Sequence, residues 1–161
     1  SSDLRRAPEA APAPPVAMTP FDQLRRGVTT SSAHETQELA AAWARTLPPD
    51  CTLALHGNLG VGKTTFVQGL ARGFGIGEPV TSPTFTIFTL HRGRNRTLIH
   101  LDAYRLQSDR EIEGLMLEDF LISPWCLAVE WPERLAPWLP ADALHLEFGI
   151  TPDERHTIKV R

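Results

Sequence analysis

The sequence has few cysteines, only two, and it has no long apolar run. Each of these features excludes some classes of protein. Cys51 and Cys126 each open an apolar, strand-like stretch and lack the spacing of a zinc site. We therefore expect two buried, reduced thiols, which favours a cytoplasmic protein over a disulfide scaffold. No apolar stretch approaches the roughly 18 residues that cross a bilayer, and the first residues form no apolar signal region. We expect no membrane partner.

An excess of positive charge is also absent. The formal net charge is −3, with 42% hydrophobic and 22% charged residues, a composition typical of globular proteins. Such a chain has no broad basic surface for nucleic acid. Its 161 residues suit about one domain. A domain of this size buries roughly 68–70% of the surface of the unfolded chain.

The N-terminal stretch differs in composition from the rest of the chain. Residues 7–20 are dominated by alanine and proline, which offer little apolar area for a core. We predict a disordered tail over residues 1–28 and one domain over residues 29–161. A targeting peptide is the alternative, although Asp3 and Glu9 are unusual in an organellar one.

Residues 57–64 read G-N-L-G-V-G-K-T, which fits the phosphate-loop pattern G-x-x-x-x-G-K-[ST]. Glycines let successive backbone N–H groups turn toward a phosphate chain without obstruction by a Cβ atom. Lys63 would place a cation near the terminal phosphates, and the Thr64 hydroxyl would bind magnesium. Because chance produces this pattern in roughly 0.5% of chains of this length, a simple glycine-rich turn is a weak alternative.

The residues on both sides of this loop agree with the pattern, which requires a strand before it and a helix after it. Residues 52–56 form a nearly unbroken apolar run, typical of a strand buried on both faces of a parallel sheet. Phe66, Leu70 and Phe74 recur at helical spacing, and Gly75 stands where a left-handed C-terminal cap is expected.

The remaining chain continues the alternation of helices and strands. Capping boxes at Ser32 and Ser108 predict two helix starts, and Pro132 predicts a third, short helix. Further strands are predicted at residues 84–90, 97–101, 126–129, 144–150 and 158–160. The predicted fold is α/β, a P-loop NTPase-like three-layer fold. Its central sheet is mostly parallel, with antiparallel additions and a C-terminal hairpin.

Two acidic residues, Asp102 and Glu130, end apolar strands after the phosphate loop. A P-loop enzyme needs at least one such acid to hold magnesium, directly or through water. For either residue alone, the alternative is an acid that caps a turn or a helix. We predict that Thr64, Glu130 and Asp102 are the metal ligands, and that Lys63, Asp102 and Glu130 are the catalytic residues.

Two further observations concern which nucleotide is expected and whether the chain has a lid over it. The chain has no Asn-Lys-x-Asp segment to read guanine, so ATP is the expected nucleotide. The turn at residues 92–96 carries three arginines. They could clamp phosphates as a kinase lid does, contact RNA or an acidic partner, or form a solvated turn. The last interpretation is favoured because charged groups mostly remain in water.

Four segments, in this order and at these spacings, resemble the TsaE family: residues 57–65, 82–85 (S-P-T-F), 100–106 (H-L-D-A-Y-R-L) and 129–131 (V-E-W). The resemblance covers roughly residues 29–160. It implies a P-loop α/β fold and Mg-dependent hydrolysis of ATP. It also implies action with the TsaB and TsaD partners, and through them on tRNA, where the adenosine beside the anticodon receives a threonylcarbamoyl group.

The resemblance further implies roles for individual residues. Asp102 matches the aspartate needed for turnover, and Glu130 matches the acid of the Walker B type. The residues expected to contact ATP are Asn58, Leu59, Gly60, Val61, Gly62, Lys63, Thr64 and Thr65, with Thr36 near the base. Those expected to act as switch or partner contacts are Ser82, Thr84 and Trp131. Asn58 and Val61 replace the commoner aspartate and alanine without removing a phosphate-binding amide.

Two other functions remain open at the level of the sequence. A small-molecule kinase has the same loop and a similar length, but it would need an acceptor site and a basic lid. A nucleotide-dependent binding module without turnover would not need two acids at strand ends. A partner-dependent ATPase is the favoured interpretation.

Overall fold

The computed structural model describes residues 7–14, 17–83 and 87–161. Its α-helices are α1 (Pro20–Arg26), α2 (Ala33–Ala44), α3 (Lys63–Gly73) and α4 (Asp109–Gly114), and its 3-10 helices are Leu117–Phe120 and Pro132–Trp138. Its strands are β1 (Val28–Thr30), β2 (Cys51–His56), β3 (Phe88–Arg92), β4 (Thr97–Asp102), β5 (Trp125–Glu130), β6 (Leu144–Ile150) and β7 (His156–Val160).

The strands form one seven-stranded sheet in the order β1-β7-β6-β2-β5-β4-β3. The central strands are parallel, since β2 lies between β6 and β5, and β4 lies beside β5. The outer strands are antiparallel: β3 pairs with β4, β6 and β7 form the C-terminal hairpin, and β1 pairs with β7. The predicted α/β class, the parallel centre and the hairpin are therefore confirmed.

Helices cover both faces of the sheet. Neighbouring residues of a strand point to opposite sides, so the apolar strands present an apolar surface on each face. On one face α1, α2 and α3 pack over residues such as Leu98 and Leu53. On the other face α4 and the residues around the 3-10 helices pack over Ile99, Leu101 and Val129. The carboxyl ends of β2, β4 and β5 meet at one edge of this layered structure, where polar side chains can gather.

Helices α2 and α3 lie in close contact through two glycines of α3. A Cβ atom on Gly69 would approach the Gln37 carbonyl oxygen to 2.5 Å and the Ala40 Cβ to 2.7 Å. A Cβ atom on Gly73 would lie 2.6 Å from the Ala44 Cβ. Small residues on both helices thus allow the backbone of α3 to reach that of α2.

The predicted tail over residues 1–28 is wrong at its C-terminal end. Thr19 caps α1 through a capping box with Asp22, and Leu24 of that helix is fully buried. Val28 then pairs with Ile158 on the last strand. The prediction failed because it followed the high alanine and proline content of the stretch. The helix depends instead on the few residues of the segment T-P-F-D and on burial against a strand that is distant in sequence.

Other element boundaries also differ from the prediction. Helix α2 begins at the predicted Ser32 cap but ends at Ala44, before the two prolines. Strand β3 begins at Phe88, and residues 84–86 of its predicted span lie outside the described residues. The segment after Pro132 is helical, as predicted, but of the 3-10 type. In the described part of the chain, no helix has both the length and the apolar character to cross a membrane.

Candidate functional site

The glycine-rich loop, residues 57–64, joins the carboxyl end of β2 to the start of α3. Gly57 and Gly62 have φ angles of 150° and 100°. A Cβ atom on Gly57 would lie 2.8 Å from Val61 Cγ2 and 2.9 Å from the Phe148 carbonyl oxygen. The left-handed backbone at Gly62 is accessible to glycine at little cost. The loop therefore depends on glycine for both its shape and its close packing.

Helix α3 presents its N-terminus to this loop. Gly62 is its N-cap, and no side chain of the described residues caps it. The first N–H groups of an α-helix have no partner within the helix, and the helix dipole adds partial positive charge there. Thr64 and Thr65 of this first turn are half-buried. This end of α3 can accept an anion.

Lys63 is held at the base of the loop, and it is 4% exposed. Its Nζ atom donates a hydrogen bond of 2.6 Å to the Gly57 carbonyl oxygen and lies 4.6 Å from the centre of the Trp131 ring. Burial lowers the pKa of Lys63. Three carboxylates act in the opposite direction, those of Glu130, Asp102 and Glu133. The ammonium group is thus available within a short reach of the loop and of two strand-end acids.

Asp102 and Glu130 end the neighbouring strands β4 and β5 and stand opposite each other in the parallel register. Directly paired residues of parallel strands face the same side, so both carboxylates point to the face that carries α3. Glu130 is 6% exposed. Asp102 is half-buried, and its Oδ1 atom accepts a hydrogen bond of 3.0 Å from the Tyr104 backbone N–H.

A histidine that the sequence prediction did not assign holds Glu130 in place. His100 Nε2 lies 2.8 Å from Glu130 Oε2, and the His100 ring is fully buried. A carboxylate accepts only, so the Nε2 atom carries the proton in this pair. His100 stands two residues before Asp102 on β4, and therefore on the same face of the sheet. That spacing was the sequence signal that could have identified it.

Trp131 follows Glu130 with a left-handed backbone at φ 56°, a conformation that costs a non-glycine residue roughly 1–2 kcal/mol. The Trp131 ring lies against Lys63, and the ring centre of Tyr104 is 5.0 Å from its own. Arg134 lies over Tyr104 at 5.9 Å. The predicted partner residue Trp131 is therefore part of a cluster of aromatic and cationic groups next to the loop lysine.

The loop has a second support that sequence reasoning missed. His156, the first residue of β7, places its Nδ1 atom 2.9 Å from the Val61 carbonyl oxygen. A carbonyl oxygen only accepts, so Nδ1 donates. This contact turns the Val61 carbonyl toward β7. The two residues are 95 positions apart, and no local pattern connects them.

The other predicted site residues lie in different surroundings. Within the loop, Asn58 and Gly60 are exposed, Leu59 is 89% exposed, and Val61 is buried. Ser82 is exposed on the loop before Pro83, while Thr84 lies outside the described residues. The hydroxyl oxygen of Thr36 is 2.6 Å from that of Thr30, and Thr36 is only 2% exposed. The Thr36 hydroxyl is therefore engaged with Thr30, and a contact of Thr36 with the base of the nucleotide stays a prediction.

The arginine turn at residues 92–96 lies at the other end of the sheet. Arg96 donates hydrogen bonds to the carbonyl oxygens of Pro48 and Leu47, and its Nη1 atom is 3.5 Å from Cys51 Sγ at the start of β2. Lys63 comes after the far end of that strand. The turn therefore cannot act as a lid on the glycine-rich loop, and a phosphate clamp at this position is excluded.

The donors at the sheet edge fit a polyphosphate with a divalent cation. The uncapped start of α3 and Lys63 suit phosphate oxygens, and the space around Gly60, where a Cβ atom would meet no described atom within 4 Å, leaves the loop open on that side. Among the described residues, no three His, Cys, Asp or Glu side chains form a metal cluster. Magnesium suits such a site because it usually keeps several waters and binds one or two carboxylates plus substrate phosphates.

The fold and the site together define an α/β protein with a phosphate-loop sequence at the carboxyl edge of its parallel strands and two acids beside it. The family model described as Threonylcarbamoyl adenosine biosynthesis protein TsaE matches residues 30–158. The chain belongs to the TsaE family. The resemblance drawn from the four sequence segments is thereby confirmed.

Individual relatives agree with this assignment. A Treponema pallidum protein named tRNA threonylcarbamoyladenosine biosynthesis protein TsaE is 36% identical over 129 residues, which are 80% of this chain and 95% of that protein. A Synechocystis protein of the same name is 47% identical over 104 residues, 61% of this chain and 64% of its own. The crystal structure of Bacillus subtilis YdiB has a TM-score of 0.69 at 31% identity, covering 83% of this chain and 82% of that one.

Proposed function

We propose that this chain is a Mg²⁺-dependent ATPase that supports the threonylcarbamoyl-transfer complex acting on the adenosine next to the anticodon of tRNAs. The observation that carries the proposal is the register of Asp102 and Glu130 beside the glycine-rich loop. Two fixed acids next to a loop lysine suit phosphoryl transfer, in which catalysis is mainly positioning and charge stabilisation. Membership in the TsaE family supports the tRNA assignment.

Nucleotide binding would use groups that are already in position. Backbone N–H groups of residues 58–65 would surround the phosphates of ATP, and the positive end of α3 would face them. Lys63 now donates to the Gly57 carbonyl oxygen. In the complex this ammonium group exchanges that acceptor for terminal phosphate oxygens, a short movement of one side chain.

Hydrolysis would depend on Thr64, Glu130 and Asp102, which would hold Mg²⁺ directly or through water. The cation, when bound, neutralises charge that develops on the transferred phosphoryl group. Glu130 has one oxygen held by His100, which leaves Oε1 for the metal or an attacking water. Because both acids are set by neighbouring strands, they are positioned before the nucleotide arrives, which lowers the cost of reorganisation.

Coupling to the tRNA reaction would involve the TsaD and TsaB partners, with tRNA reached through the complex. Ser82 stands in the loop before Pro83, and Trp131 lies over Lys63. Thr84, the other residue expected to act as a switch, comes two positions after Ser82 in the sequence. Segments next to the terminal phosphate order or relax with nucleotide state in P-loop switches. We place this reaction in the cytoplasm, and the two free, buried cysteines support a reducing compartment.

The test is phosphate release by the purified chain alone, with the two partners, and with a panel of small metabolites. We expect ATP turnover that needs Mg²⁺ and rises strongly with the partners. Phosphate transfer to a metabolite would favour the kinase instead. Tight ATP binding without turnover under every condition would favour the binding module.

The switch segment has its own test in the same assay. Thr84→Ala should lose most partner-stimulated turnover while ATP affinity stays within about threefold, because its contacts would form only around the terminal phosphate. Thr29→Ala is the matched control, since Thr29 is exposed on β1, at the opposite edge of the sheet. If stimulated turnover survived in Thr84→Ala, the proposed switch role of residues 82–85 would be wrong.

A further inference from the structure

The two cysteines of the chain are neighbours in space, although 75 positions separate their numbers. Cys51 opens β2 and pairs directly with Cys126 on the parallel strand β5. Adjacent strands lie about 4.8 Å apart, within the Cα separation of about 4.4–6.8 Å that disulfides span. Both side chains point to the same face and belong to the same core cluster. The pairing thus brings two thiols together at the sheet end opposite the glycine-rich loop.

A fixed guanidinium group lies against this pair. Arg96 Nη1 is 3.5 Å from Cys51 Sγ, and two backbone carbonyls, those of Pro48 and Leu47, hold the same guanidinium. The ring of Phe74 lies below it at 5.1 Å. Arg96 cannot lose its charge in a protein. Its position therefore provides a permanent positive charge beside the sulfur of Cys51.

The two thiols differ in their surroundings. A hydrogen bond with Cys126 lowers the pKa of Cys51, and Arg96 lowers it further against the opposing effect of burial. The hydrogen bond and burial raise the pKa of Cys126. Cys51 is 8% exposed and Cys126 is fully buried. A thiolate at Cys51 beside a protonated thiol at Cys126 is therefore the favoured arrangement when one proton is lost.

We propose that Cys51 and Cys126 form a redox-reactive dithiol that a small peroxide converts to an intramolecular disulfide. Register and the Arg96 contact carry this inference, which is independent of the proposed ATPase. Although buried, Cys51 keeps 8% of its surface exposed, and a cation next to a thiol favours the thiolate, which is the nucleophile. A second thiol next to the first is the usual arrangement for resolving its oxidised form.

The chemistry needs only a hydroperoxide as oxidant. The Cys51 sulfur attacks one peroxide oxygen, the O–O bond breaks, and hydrogen peroxide releases hydroxide, which leaves as water after protonation. Cys51 is then a sulfenic acid. The Cys126 sulfur attacks the Cys51 sulfur, the S–S bond forms, the S–O bond breaks, and the Cys126 proton leaves with the hydroxyl group as a second water. The two thiols are oxidised by two electrons, and the peroxide is reduced.

The experiment treats the folded full-length chain with hydrogen peroxide, stops the reaction with acid, and alkylates remaining thiols after denaturation. Mass spectrometry should show a monomer that has lost two hydrogen atoms and takes up no alkyl group, with reversal by dithiothreitol. Cys126→Ser should stop at a sulfenic acid on Cys51 that dimedone traps. Cys51→Ser should leave Cys126 unoxidised under the same conditions.

The role of Arg96 has a matched pair of variants. Arg96→Met should slow disulfide formation about tenfold, as expected from the loss of one adjacent opposite charge. Arg94→Met, in the same turn but exposed, should leave the rate unchanged. If Arg96→Met does not fold, the dependence of the wild-type rate on pH decides, since the rate should level off at a lower pH than the rate of an ordinary, unpaired thiol. Oxygen addition without a disulfide, disulfides between chains, or a rate insensitive to Arg96 would overturn the proposal.

Discussion

Lys63 is the residue on which nucleotide binding depends most directly. It is buried at the base of the loop and faces the carbonyl oxygen of Gly57. Lys63→Ala should weaken ATP binding at least about tenfold, because a hydrogen bond to a charged group contributes roughly 1.5–3 kcal/mol. Titration calorimetry with ATP and Mg²⁺ measures the change.

Lys159→Ala is the control for this variant. Lys159 is exposed on β7 and carries the same charge, so its removal tests whether a general loss of positive charge weakens binding. We expect affinity within about twofold of the unchanged protein, as for a screened surface charge. Equal effects of the two variants would show that the loop does not bind phosphate through Lys63.

The strand-end acids should affect turnover more than affinity. Asp102→Asn and Glu130→Gln should each lower the hydrolysis rate at least about a hundredfold, since preorganised charge acts mainly in the transition state. ATP affinity should stay within about fivefold, because the loop amides and Lys63 remain. Single-turnover hydrolysis and equilibrium binding measure the two effects separately.

His100 gives the comparison that separates positioning from simple stability. His100→Gln keeps an N–H donor toward Glu130 and should retain much of the rate, whereas His100→Leu removes the donor and should follow Glu130→Gln. Glu118→Gln, an exposed acid of the 3-10 helix before β5, is the neutral control. Normal single-turnover rates in an acid variant would leave that residue as a turn or helix cap.

At the level of elements, the contact between α2 and α3 limits the size of the side chain that α3 can have at Gly69. A Cβ atom on Gly69 would stand 2.5 Å from the Gln37 carbonyl oxygen, a distance at which one helix must move. Gly69→Ala should therefore lower the free energy of unfolding by about 1–3 kcal/mol, although alanine favours an isolated helix by about 1 kcal/mol. Urea denaturation followed by circular dichroism measures the change.

Gly77→Ala distinguishes crowding from any general effect of a methyl group. No atom of the described chain lies within 4 Å of the Cβ position at Gly77, and its φ angle is not positive. We expect a change within about 0.5 kcal/mol. If Gly69→Ala were as stable as Gly77→Ala, the close packing of α2 on α3 would not hold in solution.

For the whole molecule, a histidine pair next to the site connects stability to pH. The rings of His56 and His145 are stacked, with His56 Nε2 2.8 Å from His145 Nδ1. Burial lowers the pKa of His56, the positive charge of Arg161 and His145 lower it further, and Glu133 and Glu147 oppose the shift. The folded state therefore resists protonation more than the unfolded chain does.

The sign of the pH effect follows from this difference. Below about pH 6.5 the unfolded chain takes up a proton at His56 that the folded chain does not. The free energy of unfolding should consequently fall as pH decreases from about 7 to 5.5, and His56→Gln should reduce that fall. His34→Gln, whose parent side chain is 78% exposed, should leave the slope unchanged. An unchanged slope in His56→Gln would contradict the prediction.

Much of the fold could be predicted from the sequence because its signals are local. The caps at Ser32 and Ser108 and the strand of residues 52–56 are patterns within a few positions. Helix α1 was missed because an alanine and proline-rich neighbourhood concealed a short capping box. The placement of Asp102 and Glu130 at strand ends also followed from local apolar runs, but their direct register required the sheet.

The sequence by itself determined the glycine-rich loop, the strand-end acids, the family and the α/β class, since turns, caps and alternation depend on neighbouring residues. Only the tertiary structure decided which distant side chains meet. His100 reaches Glu130 across 30 positions, and Arg96 reaches Cys51 across 45. It also placed the arginine turn at the end of the sheet opposite the glycine-rich loop. Such contacts depend on the order of the strands and on the crossovers between them. That order is selected by the burial of both faces of the sheet under helices, and no short segment of sequence encodes it.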